Sequence, residues 1–567
     1  MGFFNTARGA SFNGTFSPTV PNRGHIAFIS QSGALGVGIM ELAIDTDLGF
    51  SLFVSTGNKS DINDNDILEY LLTDQNTNVV ALYLESIDQP DEFRKICSKI
   101  AAVKPILAVK AGRTASGHKA ASSHTGAMAN PEYIVDGFLK QCGIIRKDNM
   151  KELFDSARVL THQQLPKSSH IAVITNAGGP SIIASDAIEK SGLELAVLSR
   201  ITQNKLKKLL PEEASIENPV DMIASADHDT YHDVLEIISD DDAVDAVLLI
   251  IVRPPVSTTP RKIAKSIEAL IHNCAKPIIP VIMSRNDNES GFKEFKKLDL
   301  PVFKYPDSGV RAMATLWEYQ KIQQRFRRSE AVAGTRRMGQ NLISGSGSGN
   351  NQVPLQDLIL LLESYDIKCV PYLISKELDD LKQFQNNFHS PVVVKIANEE
   401  IIHKSENNLL KLNINTEEEL KIAVHELTTN AVPILPKGTT PVFMIQQQIR
   451  SGVELVLGGK RDGRFGPVIM VGIGGIYVEM LKDVSFRIAP VNTFEAREML
   501  AELRSQVLLD GFRGHPKVDR DALAYTIHQF SLLLAEHPEI LEMDLNPMIW
   551  NDSQNLAIAV DMRAKVK

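Results

Sequence analysis

Residues 25–33 read HIAFISQSG, a short apolar run that ends in a serine–glycine turn. A helical pattern follows from about residue 34 to residue 46, so this stretch predicts a strand, a tight turn and a helix. Two more apolar runs follow, VVALYL at residues 79–84 and PILAV at residues 105–109. Because strands that are buried on both faces read as continuous apolar runs, the region predicts a parallel sheet with helices on both sides.

The same pattern occurs a second time in the chain. Residues 170–179 read HIAVITNAGG, with the strand length and the glycine position of the first copy. Further apolar runs lie at residues 246–252 and 277–282. We therefore predict two related α/β domains of the flavodoxin-like, doubly wound parallel-sheet class, over residues 24–165 and 166–325.

The segments on either side of these domains have a different character. Residues 1–23 have neither a strand nor a helix pattern, and they read as the remnant of a connection to a missing domain. Residues 326–352 are polar and end in GSGSGNNQ, which is typical of a flexible linker.

The C-terminal part of the chain has another organisation. A helical pattern at residues 355–365 precedes VVVKI at residues 392–396, an apolar strand that carries Lys395. Three strand patterns then follow one another closely, at residues 442–446, 453–458 and 468–472. Such quick succession favours antiparallel pairing, so residues 353–567 are predicted to form an α+β domain.

Bulk composition narrows the class of protein. The 567 residues suffice for three or four domains, and 43% hydrophobic with 23% charged residues is ordinary for a globular chain. The net charge of −9 disfavours a nucleic-acid partner. Four scattered cysteines without a CxxC pair argue against a zinc site or a disulfide framework. With no apolar run of about 18 residues, we expect a cytoplasmic protein that does not associate with a membrane.

Residues 120–129, AASSHTGAMA, place His124 among small side chains. Imidazole is a good nucleophile toward phosphorus at neutral pH, and small neighbours leave room for a phosphoryl group. Read alone, His124 is more simply a turn histidine bonded to nearby backbone. Glu85 ends the strand at residues 79–84, where its carboxylate could orient the imidazole or could merely cap a helix.

Each strand–turn–helix connection is a candidate phosphate site. The two turns contain Ser32 and Gly33 in the first copy, and Gly178 and Gly179 in the second. A helix N-terminus exposes unpaired N–H groups, and glycine lets an anion approach the backbone. Every doubly wound fold has such turns and most of them bind nothing, so either turn alone is weak support.

Oxygen-bearing side chains gather near the C-terminus. Asp544 and Asn546 lie two residues apart on one predicted strand, and Asp561 ends the next. Mg²⁺ prefers such ligands, and Lys395 could neutralise a nucleotide phosphate. Taken singly, each is more simply a solvated residue at a strand end. Together with the GIGG run at residues 472–475, they predict a nucleotide site.

These motifs together resemble the NDP-forming acyl-CoA synthetases, the superfamily of ADP-forming acetyl-CoA synthetase and succinyl-CoA synthetase. The resemblance is to the type with both subunit-like halves on one polypeptide, and it covers nearly the whole chain except the linker. It rests on an ordered series of segments: IAFISQSGALG, TGNKSDINDNDILEYL, LYLES, KAGRTASGHKAASSHTGAMA, ITNAGGPS, VVVKIANEEIIHKSE, GVELVLGGKRDGRFGPVIMVGIGGIYVEMLKDVSFRIAP, LLDGFRG and EMDLNP.

The resemblance implies roles for individual residues. His124 would carry the phosphoryl group with support from Glu85. His403, which alone reads as a loop histidine, would be a second phosphate carrier on an ATP-grasp half. The loop after His403 lacks the two glycines usual in the family. Four residues would bind the Mg²⁺–nucleotide: Lys395, Glu454, Asn546 and Asp561.

The implied reaction interconverts acyl-CoA, ADP and phosphate with a carboxylate, CoA and ATP. Its substrates would be a small carboxylate and a CoA thioester, with Mg²⁺ as cofactor. Because family members usually begin with a CoA-binding domain, a separate CoA-binding protein is an expected partner, as is a second copy in a homo-oligomer. The alternative is a nucleotide-binding regulatory or partner subunit, or part of a protein-acetyltransferase fusion, without complete turnover of its own.

Overall fold

The computed structural model describes residues 2–7, 11–46, 48–59, 61–114, 116–117, 131–253, 258–284, 291–329, 351–387, 391–398, 408–436, 438–449, 452–474, 483–511 and 517–567. The chain divides into two compact units, with unit 1 at Met1–Ala333 and unit 2 at Gly334–Lys567. No helix in the described ranges has the length and apolar character that crossing a membrane requires.

The first half of unit 1 is built on one sheet. Its strands are β1 (Gly2–Asn5), β2 (Phe12–Asn13), β3 (Arg23–Ser30), β4 (Phe50–Ser55), β5 (Val79–Leu84), β6 (Ile106–Lys110) and β7 (Ile144–Arg146). Its helices are α1 (Gly33–Thr46), α2 (Asp64–Thr73), α3 (Pro90–Ala101), α4 (Glu132–Gln141) and α5 (Met150–His162). The parallel strands run in the order β4-β3-β5-β6-β7, which is the flavodoxin-like order.

Continuous apolar strands explain why this sheet was predictable. β5 lies where the sequence places it, and all of its side chains except Tyr83 are buried. The expectation that residues 1–23 lack regular structure is wrong, because β1 and β2 add antiparallel strands beside β4. Both are short. The two residues of β2 are exposed, so its order comes from pairing with β1, whereas β1 also buries Phe4 in the core of the sheet.

The second half of unit 1 repeats the arrangement. Its strands are β8 (His170–Thr175), β9 (Glu194–Leu195), β10 (Val220–Asp221), β11 (Ala246–Val252) and β12 (Ile278–Met283). Its helices are α6 (Gly178–Lys190), α7 (Arg200–Leu209), α8 (His228–Ser239), α9 (Pro260–Ser266), α10 (Glu268–Asn273), α11 (Phe292–Lys297) and α12 (Pro306–Ser329). The sheet is parallel in the order β10-β8-β11-β12, with β9 also beside β8. Two flavodoxin-like sheets are therefore present, as predicted.

Helix α12 joins the two halves of unit 1. The Thr315 hydroxyl accepts a hydrogen bond from Lys147 Nζ at 2.8 Å and lies 3.0 Å from the Ser156 hydroxyl. Further along the helix, Arg325 Nη1 donates to the Lys140 carbonyl at 2.7 Å. The helix continues to Ser329, into the segment predicted to be a linker. Its contacts make unit 1 one packed body rather than two domains on a string.

Unit 2 contains two sheets. The smaller is antiparallel, with the strands β14 (Tyr372–Ser375), β15 (Val392–Ile396), β16 (Leu410–Ile414) and β17 (Phe443–Gln447) in the order β14-β17-β15-β16. The larger has the order β13-β22-β21-β18-β19-β20, with β23 beside β21. Its strands are β13 (Lys368–Cys369), β18 (Glu454–Asp462), β19 (Gly466–Ile473), β20 (Val484–Ile488), β21 (Ile540–Asn551), β22 (Leu556–Ala559) and β23 (Met562–Val566).

Helices cover both sheets of unit 2, which is the predicted α+β organisation. They are α13 (Leu355–Ser364), α14 (Leu378–Asn386), α15 (Glu417–Ala431), α16 (Thr493–Ala501), a 3₁₀ helix (Arg504–Asp510) and α17 (Arg520–Glu536). β18 and β19 pair antiparallel as expected, but β17 lies in the smaller sheet with β14 and β15. Closeness along the chain therefore predicts strand direction better than it predicts sheet membership.

Candidate active site

The carboxyl ends of β3 and β5 form the switch point of the first sheet. These strands are neighbours in register, with Ser30 opposite Tyr83, while the chain leaves them toward opposite edges of the sheet. Ligands of open α/β sheets bind in the crevice at such a point. Ser32 and Gly33 follow β3 directly and Glu85 follows β5, so the fold brings these predicted site residues to the same edge.

Gln31 clamps the two strand ends together. Its side-chain oxygen accepts hydrogen bonds from the backbone N–H groups of Glu85 at 2.7 Å and Ser86 at 2.9 Å. Its side-chain nitrogen donates to the Ser86 carbonyl at 2.9 Å and to Asp64 Oδ2 at 2.7 Å. Gln31 is 8% exposed, so these bonds are made away from water and fix the backbone of Glu85 firmly.

A buried ion pair supports the clamp from the other side. Lys59 Nζ lies 2.8 Å from Asp64 Oδ2, and the two side chains are 7% and 5% exposed. The same ammonium donates to the Ser86 hydroxyl at 3.2 Å and to Asp88 Oδ2 at 2.9 Å. Removing one partner of such a pair costs about 3–5 kcal/mol because a buried charge is left alone. We call Gln31, Lys59 and Asp64 the switch-point cluster.

Local sequence explains how the cluster forms. The Asn63 side chain accepts from the Asn65 N–H at 2.7 Å, and the Asp66 carboxylate accepts from the Asn63 N–H at 2.8 Å. This capping box starts α2 at Asp64, which holds that carboxylate at the sheet edge. Lys59 has a φ of 55°, a left-handed conformation that is unfavourable for a residue with a side chain. Such local strain is most often found at functional sites.

Glu85 is half-buried beside β5. Burial raises the pKa of the Tyr83 hydroxyl, and the nearby Glu85 carboxylate adds to the rise. His124 and its neighbours at residues 118–130 lie outside the described residues. The pairing of Glu85 with His124 therefore stays a prediction.

The second turn repeats the first in chemistry. The Thr175 hydroxyl accepts from the Ala177 N–H at 3.1 Å, just as the Ser30 hydroxyl accepts from the Ser32 N–H at 3.2 Å. Asn176 occupies the place of Gln31. It donates to the Val252 carbonyl at 2.8 Å and accepts from the Val252 N–H at 2.9 Å. In both copies a carboxamide ties the strand end to its neighbour.

The first turn of α6 is open toward an anion. Ala177 occupies the N-cap and has no side chain that could cap the helix. A side chain placed at Gly179 would meet no atom within 4 Å, whereas one at Gly178 would come within 3.3 Å of Asp221 Oδ2. Gly179 therefore leaves open space beside the first turn of α6, which would let an anion approach the N–H groups at the helix N-terminus.

Three of the predicted nucleotide-site residues meet in unit 2. Lys395 is 6% exposed on β15, and its Nζ lies 3.4 Å from Asp561 Oδ1. The Asn546 N–H donates to the Asp561 carbonyl at 3.0 Å. The Asn546 side chain has no hydrogen-bond partner among the described residues, so its carboxamide can take a ligand.

Asp544 and Asp561 lie close enough to influence each other. Burial raises the pKa of Asp544, and the charges of Asp561 and Glu542 add to the rise, although Arg563 opposes it at 3.5 Å. A divalent cation would relieve this repulsion, and carboxylate and carboxamide oxygens suit Mg²⁺. The donor set of Asp544, Asn546 and Asp561 therefore fits the ion.

Of the two other site residues predicted in the ATP-binding half, the structure describes Glu454 but not His403. Glu454 begins β18, where its carbonyl accepts from the Gly474 N–H at 2.6 Å. Its carboxylate is exposed, with no partner in the described ranges. His403 and Gly475 lie outside the described residues, so the second phosphate carrier stays a prediction.

Sequence reasoning missed the switch-point cluster and Asn176. One signal was available, because Gln31 and Asn176 hold the same position after HIAFIS and HIAVIT. A carboxamide that repeats at the end of a buried strand has both a donor and an acceptor for the neighbouring backbone. Lys59 and Asp64 gave no comparable signal, since their meeting depends on the fold.

Comparison with known families agrees with this architecture. Residues 23–160 match the family described as succinyl-CoA ligase like flavodoxin domain, and residues 171–320 match the Ligase-CoA domain. Residues 349–566 match the ATP-grasp domain. Two flavodoxin-like ligase domains with an ATP-grasp domain define a class of nucleotide-dependent acid–thiol ligases.

Individual relatives resemble nearly the whole chain. The ADP-forming acetate–CoA ligase I of Archaeoglobus fulgidus is 36% identical over 97% of this chain and 78% of its own length. The ADP-forming 4-hydroxybutyrate–CoA ligase of Nitrosopumilus maritimus is 33% identical over 97% and 79%. The dinucleotide-forming acetyl-coenzyme A synthetase 1 of Candidatus Korarchaeum cryptofilum, solved with phosphate and ADP, is 31% identical, with a TM-score of 0.55 over 59% of this chain and 72% of that one. The chain belongs to the NDP-forming acyl-CoA synthetase superfamily.

Proposed function

We propose that this protein interconverts acyl-CoA, ADP and phosphate with a carboxylate, CoA and ATP, with His124 as the phosphorylated residue. The observation that carries the proposal is the Gln31 clamp, which fixes Glu85 at the switch point of a flavodoxin-like sheet. A carboxylate on a backbone fixed in this way can keep an imidazole in one tautomer and orientation. Membership of the superfamily supports the reaction class.

The chemistry at His124 is a double displacement. A phosphate oxygen attacks the thioester carbonyl, the carbon–sulfur bond breaks, and CoA leaves as the thiolate. An imidazole nitrogen of His124 then attacks phosphorus, the bond from phosphorus to the acyl oxygen breaks, and the carboxylate leaves. Glu85 accepts the hydrogen bond from the other ring nitrogen, which stabilises the positive ring that forms.

The two helix N-termini would hold the phosphoryl group. The turn of Ser32 and Gly33 opens α1, and the turn of Gly178 and Gly179 opens α6. Each helix end carries about half a positive charge, and its free N–H groups can bond phosphate oxygens. Such fixed donors stabilise the charge that develops in phosphoryl transfer without reorganisation.

The ATP-grasp half would receive the phosphoryl group. Lys395 would neutralise a phosphate of the nucleotide, and Asp544, Asn546 and Asp561 would hold Mg²⁺, which would supply further charge neutralisation for the phosphate oxygens. Glu454, exposed at the start of β18, would bond the nucleotide. His403 would carry the group between the two halves.

Labelling with ATP tests the proposal. The chain is incubated with γ-labelled ATP and Mg²⁺, and we expect label that is lost in acid and stable in base. Label on residue 124 itself, located by peptide mapping, should vanish in His124→Ala and persist in His118→Ala, a matched control six residues away, whereas label on His403 should remain in both. Absence of label from the wild-type chain, with nucleotide binding retained, would refute the proposal in favour of a nucleotide-binding regulatory subunit.

Two associations belong to this proposal. The ADP-forming acetate–CoA ligase I of Pyrococcus furiosus has separate alpha and beta subunits, and we propose that a CoA-binding protein acts with this chain in the cytoplasm. We also propose a homo-oligomer. Adding a CoA-binding domain protein should raise acyl-CoA formation, and sedimentation should give a mass above that of one chain. If His124 is labelled but no acyl-CoA forms in that mixture, the proposed CoA-binding partner is contradicted. A sedimentation mass equal to one chain would contradict the homo-oligomer.

A further inference from the structure

A cleft of about 500 Å³ lies at the amino end of β3, between the last turn of α5 and residues 292–302. The candidate active site lies at the carboxyl end of the same strand, about 20 Å away at the usual rise per residue. The cleft is therefore separate from the reaction centre. Its volume lies in the range of small-molecule sites.

Positive side chains dominate the lining of the cleft. Four are cationic, namely Arg23, Arg158, Lys293 and Lys296, whereas Asp299 is the single carboxylate of the lining. Behind the lining, Arg158 Nη2 also lies 3.5 Å from Asp155 Oδ1, which leaves the other three cations facing Asp299. Neither Arg23 nor Lys293 has an ion-pair partner within the described ranges. The C-terminus of α5 carries about half a negative charge, which is too little to balance them. The chain as a whole has a net charge of −9, so this local excess of positive charge indicates a site that binds an anion.

Arg158 anchors the inner wall of the cleft. Its Nη2 donates to the Val302 carbonyl at 3.2 Å, and the guanidinium lies 5.2 Å from the centre of the Phe303 ring. Its Nε is buried without a hydrogen-bond partner in the part of the chain that the structure describes. Burial lowers the pKa of His162, and Arg158 and His25 lower it further against the opposing effect of Asp299. A guanidinium with an unused N–H donor among the described residues thus lines the cleft.

The floor of the cleft is apolar. Ile26, Leu48, Leu300, Pro301 and Val302 contribute to it. A bare inorganic anion would leave this surface uncovered, whereas a molecule with a flat or apolar body could cover it while its charged end meets the cations.

We propose that this cleft binds a small molecule with two or more adjacent phosphate groups, separately from the reaction centre. Arg23, Lys293 and Lys296 surround the phosphates at the mouth, and Arg158 meets them at the inner wall. The apolar floor takes the organic body, if the molecule has one. Two kinds of molecule carry such adjacent phosphate groups, namely a free polyphosphate and a nucleoside diphosphate.

Hydrogen–deuterium exchange of the full chain tests the proposal, because its readout is local and independent of turnover. Exchange is followed with EDTA present, with inorganic pyrophosphate in one arm and ADP in the other. We expect slower exchange in peptides that cover residues 155–163 and 291–302. Pyrophosphate protection would indicate that the phosphates suffice, and protection by ADP alone would indicate a nucleotide. Both outcomes support the site.

A matched pair of variants makes the test specific. Lys293→Glu reverses a charge in the lining, and Lys297→Glu makes the same change on the same helix outside it. We expect Lys293→Glu to raise the ligand concentration at half protection at least fivefold, and Lys297→Glu to change it less than twofold. Both lysines are exposed, so neither change threatens the fold. The absence of protection in both arms, or equal effects of the two variants, would overturn the proposal.

Discussion

Replacing Gln31 by leucine tests the clamp at the switch point. Leucine keeps the volume but removes four hydrogen bonds. Two acceptors keep a partner, because Lys59 Nζ lies 2.8 Å from Asp64 Oδ2 and 3.4 Å from the Ser86 carbonyl. The N–H groups of Glu85 and Ser86 lose theirs. At about 1–3 kcal/mol for each buried unpaired group, unit 1 should lose about 2–6 kcal/mol of stability.

Urea unfolding can measure the loss of stability separately for each unit. The chain has two tryptophans, Trp317 in unit 1 and Trp550 in unit 2. In a Trp550→Phe background the fluorescence therefore follows unit 1 alone. Labelling of His124 should slow by up to about a hundredfold, since a shift of about 1 Å in a positioning group can cost this much.

A control separates lost stability from lost positioning. Asn218 is also a carboxamide that bonds three backbone groups, namely the Ile171 and Ala196 carbonyls and the Val173 N–H. Asn218→Leu should destabilise unit 1 by a similar amount and leave the labelling rate near that of the wild type. The reasoning is refuted if Gln31→Leu unfolds at the wild-type urea concentration, or if Asn218→Leu slows labelling as much.

Three further predictions concern unit 2 and the second histidine. His403→Ala should abolish the label that ATP leaves on His124, because the shuttle would be broken; undiminished label would show direct transfer. Burial holds the pKa of Asp544 above its usual value, so this group favours the folded state at low pH and loses that contribution as the pH rises. Asp544→Asn should therefore raise the urea midpoint of unit 2 at pH 7 but not at pH 3.5, and should weaken stabilisation by Mg²⁺–ADP. Glu502→Ala should cost about 3–5 kcal/mol, because it strands Arg487, which is 1% exposed and bonded to Glu502 at 2.6 Å.

The stability of unit 2 in the Asp544 and Glu502 variants is measured by urea unfolding, followed by Trp550 fluorescence in a Trp317→Phe background. Glu502→Gln is the matched control for the ion pair, since a carboxamide can still accept from Arg487 and should cost less than alanine. Equal losses for alanine and glutamine would contradict this expectation and mean that the hydrogen bond retained by the carboxamide contributes nothing, and a loss near zero for alanine would contradict the predicted cost of the stranded Arg487. For Asp544→Asn, an equal gain at both pH values would contradict the assigned titration.

Buried strands with a continuous apolar sequence were the most predictable part of the molecule. Val79–Leu84, His170–Thr175, Ala246–Val252 and Val392–Ile396 have the bounds that the apolar runs indicate. The reason is physical, because a strand covered on both faces must be apolar throughout. The flavodoxin-like class follows from the repetition of these runs with helices between them.

Features that depend on distant partners were not predictable in the same way. β1 and β2 depend on pairing at the edge of β4, and β17 lies in a different sheet from β18 and β19, the two strands that follow it in sequence. The placement of Glu85 could be predicted from the end of a strand. The Lys59–Asp64 pair could not, since its energy depends on burial by the whole sheet edge.

Helix α12 packs against both sheets of unit 1, and this determines where the chain can be truncated. Tyr319 of that helix is 3% exposed within the core of the first sheet, while Val310 and Leu316 are fully buried in the core of the second. A protein truncated after residue 165 would lack α12, which begins more than 140 residues later in the chain and covers part of the first sheet's core. A transplantable phosphoryl-transfer module must therefore extend through Ser329, and permuted or fused versions must treat both sheets as one inseparable piece.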